Sequence, residues 1–204
     1  MAVGVFNKCA TEYQEKFMNV DVYKDSLDLF CDSIPNKNAL ILELACGPGN
    51  ITKYLLNKRP GFKIFGIDLS ANMLAIASIS NPSAEFQLMD CRDIGKLGKK
   101  YDGIMCGFCL PYLSKEEAIQ LIRDAAELLA PGGLIYISTM EDDYNRSGMQ
   151  TSSSGDQLYV HYHQADYLAK ALKENGLTII DLRRQQCPAN DGTIATDLLI
   201  IAGK

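Results

Sequence analysis

Apolar and polar residues follow two different periods along the first two thirds of the chain. Short apolar runs, typical of buried strands, alternate with segments whose apolar residues recur every three or four positions, as on one face of a helix. The runs that predict strands are 39–45, 62–67, 84–88, 101–106 and 133–139. The segments that predict helices are 51–58, 71–79 and 114–130. This alternation predicts a parallel sheet covered on both faces, with ligands bound at the carboxyl ends of its strands.

Local signals mark where several of these elements begin and end. Ser114 followed by Glu117 is the pattern of a capping box, and Ser70 stands where its helix needs an N-cap. The sequence Pro131-Gly132-Gly133 ends the long helix and turns the chain into the next strand. The signals therefore agree with the alternation of strands and helices.

The last third of the chain has a different pattern. A helix over 164–175 is closed by Gly176, and two strand-like runs follow at 177–184 and 193–202. The intervening residues QQCPANDG are too few for a crossover helix, so these two strands should pair antiparallel. We therefore predict a three-layer α/β sandwich. It contains a mostly parallel seven-stranded sheet with a C-terminal antiparallel hairpin, and helices on both faces.

Composition and charge narrow the class of protein. Of the 204 residues, 47% are hydrophobic and 22% are charged, which permits a core and argues against disorder. A net charge of -5 argues against broad contact with nucleic acid, and no apolar run reaches the roughly 18 residues of a membrane span. The first residues lack a secretory signal, and seven irregularly spaced cysteines suit a reducing compartment. We expect a cytoplasmic monomer or homodimer that binds neither nucleic acid nor membrane.

The stretch LELACGPGN carries the first chemical signal, because a buried run meets an acid and then a glycine turn. A dinucleotide-binding turn, G-x-G-x-x-G, fails here because Thr52 occupies its third glycine position. Counted from the acid, Glu43, Ala45, Gly47 and Gly49 fall at alternate positions. This spacing resembles the first motif of class I S-adenosylmethionine-dependent methyltransferases, E/D-x-G-x-G-x-G, with Ala45 at the first glycine. An ordinary strand-to-helix turn is the alternative interpretation.

Two further acids stand where the resemblance expects them. Asp68 ends the second strand, where a carboxylate can accept hydrogen bonds from both ribose hydroxyls of a nucleoside. In the resembled family, the acid after the third strand, here Asp90, meets the adenine amino group, with Cys91 beside the ring. A surface carboxylate is the competing account of Asp90. The segments 101–113 and 128–139 resemble the family's fourth motif and its post-helix signature, so the likeness runs in order from residue 40 to 202.

The resemblance implies S-adenosyl-L-methionine as cofactor, and it divides the single domain predicted over 1–204. We expect an N-terminal helical lid (1–34, with one or two helices over 8–33), a cofactor-binding half (35–140), and a substrate-side loop, helix and hairpin (141–204). Within the last part, the polar tract 147–156 predicts a mobile loop. The candidate cofactor-binding residues are Tyr13, Lys16, Glu43, Ala45, Cys46, Gly47, Gly49, Asp68, Leu69, Met73, Asp90, Cys91, Cys106 and Gly107. Amphipathic packing is the alternative role of Tyr13 and Lys16.

Two residues are candidates for catalysis. The loop FCLPYL lacks the polar first residue of the N/D-P-P-Y/F/W motif that nitrogen-methylating relatives carry, and it looks more like the small-molecule branch, in which Tyr112 faces the acceptor. His161 is a candidate general base or substrate contact, although it could equally be a partly exposed loop residue. We interpret His163 as the cap of the helix that follows it. A packed aromatic ring is the alternative role of Tyr112.

Cys106 and Cys109 form a C-x-x-C pair, which also occurs in redox and zinc sites. A redox pair would sit at a helix start, and a zinc site would need a second ligand pair. The pair instead lies between a strand and Pro111, with no helix before Ser114, and only His161 and His163 offer a second ligand pair. We therefore predict no metal and assign both thiols to the lining of the pocket. The predicted function is methyl transfer from S-adenosylmethionine to a small molecule by in-line displacement. A non-catalytic S-adenosylmethionine-binding regulator and a nucleotide-dependent oxidoreductase are the alternatives.

Overall fold

A computed structural model of the chain describes residues 2–151, 155–188 and 194–204. The strands are β1 (Leu40–Leu44), β2 (Lys63–Asp68), β3 (Glu85–Leu88), β4 (Tyr101–Gly107), β5 (Leu129–Glu141), β6 (Gly148–Thr151), β7 (Gln157–Val160), β8 (Thr178–Pro188) and β9 (Ile194–Gly203). The α-helices are α1 (Ala2–Lys8), α2 (Ala10–Phe17), α3 (Lys24–Asp32), α4 (Asn50–Lys58), α5 (Ala71–Ser80), α6 (Lys115–Leu128) and α7 (Ala165–Glu174).

Seven of the strands form one sheet in the order β3-β2-β1-β4-β5-β9-β8. Each neighbouring pair from β3 to β5 is parallel, whereas β9 is antiparallel to both β5 and β8. Helices pack on both faces, so the predicted fold class is confirmed. The carboxyl ends of the five parallel strands meet at one edge, which is where open α/β sheets bind their ligands.

Alternate residues of the central strands supply two separate cores. On one face, Leu42 and Ile104 belong to a cluster that α6 and α7 cover. On the other face, Ile41 and Met105 belong to a cluster that α3 and α4 cover. These strands are buried on both faces, which explains why their sequences read as continuous apolar runs.

Three of the predicted helix start and stop signals are present in the structure. Ser114 and Glu117 form a reciprocal capping box at the start of α6, and Ser70 accepts a hydrogen bond from the Met73 N–H at the start of α5. Gly176 adopts a φ of 76°, a left-handed conformation that closes α7. The prediction that Pro131-Gly132-Gly133 ends the long helix is wrong: α6 ends at Leu128, and these three residues lie inside β5, which begins at Leu129 rather than at residue 133.

Two regions differ from the prediction. The helices predicted over 8–33 are present as α2 and α3, but an additional helix, α1, precedes them and begins at Ala2. The tract 147–156, predicted as a mobile loop, instead contributes to an antiparallel hairpin in which β6 pairs with β7. Residues 152–154 of that tract, and residues 189–193 between β8 and β9, lie outside the described residues. Within the described ranges, none of the helices is both long and apolar enough to cross a membrane.

Candidate active site

The turn after β1 has an unusual backbone conformation. Ala45, Gly47 and Gly49 adopt φ values of 50°, 53° and 78°, all in the left-handed region. A methyl group added at Gly47 would meet no atom within 4 Å, whereas one at Gly49 would lie 2.4 Å from the side-chain nitrogen of Asn81. The space above Gly47 is therefore open to a ligand, and Gly49 is required for the close approach of α5. This cradle fits a cofactor bound through backbone amides.

Asp68 joins the end of β2 to this turn. Its Oδ2 accepts a hydrogen bond of 2.9 Å from the Gly47 N–H, and its Oδ1 accepts one of 2.8 Å from the Ser70 N–H. Burial raises the pKa of Asp68 above its usual value. The carboxylate therefore holds the glycine turn and the start of α5 in register, at the position where the sequence predicts the ribose contact.

Glu43 lies beneath the turn with only 1% of its surface exposed. The Thr52 hydroxyl donates a hydrogen bond of 2.5 Å to Glu43 Oε2, and burial raises the pKa of Glu43 to about 8. Thr52, which excludes a dinucleotide-binding turn in the sequence, thus connects Glu43 to α4. This role of Thr52 is not among the predictions, although Thr52 lies only nine residues after Glu43, across one turn.

The predicted adenine side of the site contains an ion-pair chain. Arg92 Nη2 lies 2.6 Å from Asp90 Oδ2, and Arg92 Nη1 lies 3.0 Å from Glu117 Oε1. The hydrogen bonds from Arg92 lower the pKa of Asp90. Met73 is buried in α5 and Leu69 is partly exposed. Asp90 therefore stands at the predicted edge of the cleft, but its charge is already paired with an arginine that the sequence analysis did not single out.

In the structure Cys109, the second cysteine of the C-x-x-C pair, contacts both the Cys106 thiol and a third thiol, that of Cys91. Cys109 Sγ lies 3.4 Å from Cys91 Sγ, which belongs to the segment after β3. The contact with Cys109, together with burial, raises the pKa of the Cys91 thiol, so the reactive thiolate is disfavoured. Within the described ranges, no group of three or more His, Cys, Asp or Glu side chains is arranged to hold a metal ion. The thiols Cys46, Cys106 and Cys109 are buried.

Gly107 ends β4 on the other side of the turn. A methyl group added there would lie 2.4 Å from the Ile51 side chain, so Gly107 permits close packing of α4 against the strand end. The next residue, Phe108, has a φ of 52°, and its N–H donates to Ser138 Oγ at 3.1 Å. The chain therefore turns sharply at this point and directs the 109–113 segment over the sheet edge.

The N-terminal helices α1 and α2 lie against both sides of this edge. The Phe6 ring packs edge-on against Tyr13 and Tyr112, with centroid distances of 5.9 and 5.1 Å. Asn7 Oδ1 accepts a hydrogen bond of 2.7 Å from the Ser70 hydroxyl. Lys8 Nζ forms an ion pair of 2.9 Å with Asp156, beside β7. The described contacts of α1 thus connect α5 to the β6–β7 hairpin across the cleft, an arrangement that suits the predicted lid.

The two predicted lid residues differ in environment. Burial, together with the nearby Asp68 carboxylate, raises the pKa of Tyr13 to about 12. Lys16 has an exposed side chain on α2. The structure therefore brings Tyr13 close to the glycine turn and Asp68. The contact of Lys16 with a cofactor stays a prediction.

His161 lies beside the loop that contains Tyr112. The backbone N–H of His161 donates to the Pro111 carbonyl at 2.8 Å, and the ring Nδ1 is 3.3 Å from the Tyr144 hydroxyl. Burial lowers the pKa of His161. Tyr112 is 38% exposed. These side chains form an aromatic and imidazole wall next to α6, and Tyr144 belongs to it although the sequence analysis assigned it no individual role.

The prediction that His163 caps the following helix is wrong. The helix begins at Ala165, and its N-cap residue, Gln164, makes no side-chain cap hydrogen bond. His163 is fully buried, and its Nε2 donates to the Leu110 carbonyl at 2.7 Å while its Nδ1 accepts from the Tyr167 hydroxyl. Burial lowers the pKa of His163 to about 4, so the ring is neutral. These partners, Leu110 and Tyr167, lie 53 and 4 residues from His163, and no local sequence pattern predicts the contact with Leu110.

A family model described as a methyltransferase domain matches residues 14–182 of the chain. The chain belongs to this methyltransferase family. The match includes the glycine turn, Asp68 and the loop around Tyr112, and so confirms the resemblance drawn from those motifs.

Curated relatives of this methyltransferase domain share its central part. A trans-aconitate 2-methyltransferase from Variovorax paradoxus is 37% identical over 99 residues, which cover 48% of this chain and 38% of the relative. An uncharacterized methyltransferase from Alkaliphilus oremlandii is 31% identical over 140 residues, which cover 66% of this chain and 62% of the relative. The domain therefore spans less than two thirds of the length of either relative.

Solved structures have the same fold. A 1,6-didemethyltoxoflavin-N1-methyltransferase from Burkholderia thailandensis, with bound 1,6-didemethyltoxoflavin and S-adenosylhomocysteine, superposes with a TM-score of 0.73 at 18% identity, covering 100% of this chain and 87% of that chain. A S-adenosylmethionine-dependent methyltransferase from Clostridium acetobutylicum gives a TM-score of 0.71 at 18% identity and covers 98% of both chains. At these identities the likeness establishes the methyltransferase fold.

Proposed function

We propose that this domain catalyses methyl transfer from S-adenosyl-L-methionine to a small-molecule acceptor by in-line displacement. The observation that carries the proposal is the meeting of an open glycine turn and a carboxylate at the same edge. Gly47 leaves its backbone accessible, and Asp68 reaches the same turn from the neighbouring strand. Family membership and the names of the relatives, which act on trans-aconitate or 1,6-didemethyltoxoflavin, support a small acceptor.

We assign the cofactor to the cleft between the turn and the lid. S-adenosylmethionine, when bound, supplies a methyl group on a sulfonium, which is already electrophilic. The backbone of the 45–49 turn would hold the methionine part, Asp68 the ribose, and the segment of Asp90 and Cys91 the adenine. Cys106 and Gly107 border the cleft from β4, and Tyr13 and Lys16 would close it from α2. Leu69 and Met73 would line the remaining wall, and the buried Glu43 and Cys46 would support the turn.

The protein's task in such a reaction is to orient the acceptor and exclude water. Orientation of this kind can correspond to effective molarities of about 10^5 to 10^8 M. Tyr112 and His161, on the wall beside α6, are our candidates for contact with the acceptor. Because burial lowers the pKa of His161, its imidazole is neutral at physiological pH and can accept a proton from a hydroxyl or thiol acceptor.

Several observations argue against the alternatives. Thr52, at the third position of a dinucleotide turn, is buried against Glu43, which does not suit an oxidoreductase. The net charge of -5 supports an acceptor that is not a nucleic acid. All seven cysteines are free thiols, which supports a cytoplasmic location. The oligomeric state, monomer or homodimer, stays a prediction.

Ligand-dependent melting tests the cofactor assignment. S-adenosylhomocysteine should raise the Tm of the domain and NAD should leave it unchanged, because only a ligand of the native state stabilises it by mass action. A shift with NAD alone, or equal shifts with both, would contradict the assignment. Formation of S-adenosylhomocysteine from S-adenosylmethionine, measured by mass spectrometry against a library of small acceptors, then separates an enzyme from a non-catalytic regulator that binds the cofactor.

A further inference from the structure

A buried carboxylate lies at the sheet edge on the side away from the predicted cofactor cleft. Asp197 belongs to β9, where it pairs with Met140 near the end of β5. It is only 5% exposed. In the strand order, the candidate cofactor residues of the sheet lie on and after β1, β2 and β3 and at the end of β4, whereas β9 stands two strands beyond β4 in the opposite direction. Asp197 is therefore on the acceptor side of the edge.

The partners of this carboxylate are neutral. The Tyr23 hydroxyl donates a hydrogen bond of 2.7 Å to Asp197 Oδ2, and the Cys187 thiol is a second hydrogen-bond partner. Among residues 2–151, 155–188 and 194–204, no lysine, arginine or histidine forms an ion pair with Asp197. Arg183, on the neighbouring strand β8, is instead paired with Asp181 at 2.7 Å.

Tyr23 connects Asp197 to the turn that follows β4. Its ring packs against Phe108, with centroids 5.3 Å apart. Phe108 directly follows Gly107, the last candidate cofactor residue on that strand. Asp197 and Tyr23 therefore lie beside the end of β4, next to the predicted cofactor cleft. An acceptor must also stand next to that cleft to meet a transferable methyl group.

Burying a carboxylate without a cation has an unfavourable free energy, because desolvation of the charge is not offset by an ion pair. Two neutral donors satisfy part of its hydrogen-bonding capacity, and a ligand with a cationic donor would complete it. An anionic ligand would add repulsion in a poorly solvated site. Asp197, with the neutral partners Tyr23 and Cys187, therefore favours a cationic ligand over an anionic one.

We propose that Asp197, positioned by Tyr23, binds the amine of an amine-bearing small-molecule acceptor and disfavours polycarboxylate acceptors. This inference rests on the proposed function, because it assigns the substrate class of the same site. It distinguishes this domain from its relative that acts on trans-aconitate. Asp197 is a specificity-determining residue in this proposal, and Tyr23 is a positioning residue.

The test uses three probes of similar size and different charge: benzylamine, benzyl alcohol and benzoate. The protein is labelled with 13C at the aspartate carboxyl groups and saturated with S-adenosylhomocysteine. The Asp197 resonance is assigned from its loss in Asp197→Asn. If Asp197→Asn does not fold, Tyr23→Phe gives a second assignment. This variant removes the only hydroxyl hydrogen bond to Asp197 in the described structure, so the Asp197 resonance should shift.

We expect benzylamine to shift the Asp197 resonance in a saturable manner and benzoate to leave it unchanged. Benzyl alcohol should bind at least about tenfold more weakly than benzylamine, since a hydrogen bond to a charged partner is worth more than a neutral one. Asp181, already paired with Arg183, provides the matched control: its resonance should not move, and Asp181→Asn should keep benzylamine binding.

Two results would overturn the inference: benzoate shifts Asp197 as strongly as benzylamine, or no probe shifts it. Calorimetry with S-adenosylhomocysteine, performed first, separates this failure from failure of the proposed function. If the cofactor product does not bind, the proposed function is wrong. If it binds and the amine does not contact Asp197, only the substrate class assigned here is wrong.

Discussion

Replacing Glu43 by glutamine should change how the stability of the domain depends on pH. Burial raises the pKa of Glu43 from 4.5 to about 8, so the native state keeps a proton that the unfolded chain loses near pH 4.5. The contribution of Glu43 to the free energy of unfolding is fully present below pH 4.5 and is lost as pH rises toward about 8. The shift of 8 − 4.5 = 3.5 pKa units corresponds to roughly 5 kcal/mol over the window.

His163 has the opposite effect on the same curve. Burial lowers its pKa from 6.5 to about 4, so its contribution is present above pH 6.5 and is lost as pH falls toward 4. The shift of 6.5 − 4 = 2.5 pKa units corresponds to roughly 3 kcal/mol. Between pH 4.5 and 6.5 the contributions of Glu43 and His163 have opposite slopes and offset each other. Above pH 6.5 the loss from Glu43 is no longer offset.

The comparison of wild type with Glu43→Gln isolates Glu43, because His163 and the other titrating groups are common to both proteins. Urea unfolding followed by circular dichroism, repeated from about pH 5 to about pH 8, should give a difference in unfolding free energy that changes by several kcal/mol in total. The wild type should lose stability relative to the variant as pH rises. Glu85→Gln, which changes an exposed carboxyl of the same sheet, is the control. A difference that stays constant over the window would refute the buried, protonated state of Glu43.

Three further predictions address the cleft directly. Asp68→Ala should weaken S-adenosylhomocysteine binding by roughly 2 to 4 kcal/mol in calorimetry, because charge-assisted hydrogen bonds vanish together; a loss below tenfold would leave Asp68 a structural role only. Gly49→Ala should destabilise the fold by about 3 kcal/mol or more in urea unfolding, whereas Gly47→Ala should mainly impair binding and Gly98→Ala should do neither. Once an acceptor is known, His161→Ala should lower kcat with cofactor affinity nearly unchanged, and full turnover would remove it from catalysis.

The parts of the fold that the sequence predicts are those that depend on local patterns. The capping box of Ser114 and Glu117, the cap at Ser70 and the left-handed closure at Gly176 each involve residues within a few positions of one another. The parallel orientation of the first five strands follows from the alternation of apolar runs with helical segments, because a helical crossover connects strands that run in the same direction. Local chemistry is sufficient in these cases because no distant partner changes the outcome.

The parts that the sequence does not predict depend on distant contacts. Helix α1 lies before the range 8–33 predicted to be helical, and its described partners, such as Tyr112 for Phe6, lie far along the chain. His163 is buried through a bond to a carbonyl 53 residues away. Strand β6 lies in a polar tract, and it is paired with β7 through cross-strand contacts such as Met149 with Tyr159. Such contacts become visible only once the sheet has fixed which segments meet.

The carboxyl groups along the binding edge are alike in sequence but differ in the charge they can offer a ligand. Asp90 is neutralised by Arg92, and Glu43 keeps its proton because it is buried. Asp68 and Asp197 receive only neutral donors in the described structure, backbone N–H groups at Asp68 and the Tyr23 hydroxyl with a thiol at Asp197. These two therefore retain the capacity to accept hydrogen bonds from a ligand, one on each side of β4. We infer that the edge distinguishes its two ligands through this pair: the ribose of the cofactor at Asp68, and the amine of the acceptor at Asp197.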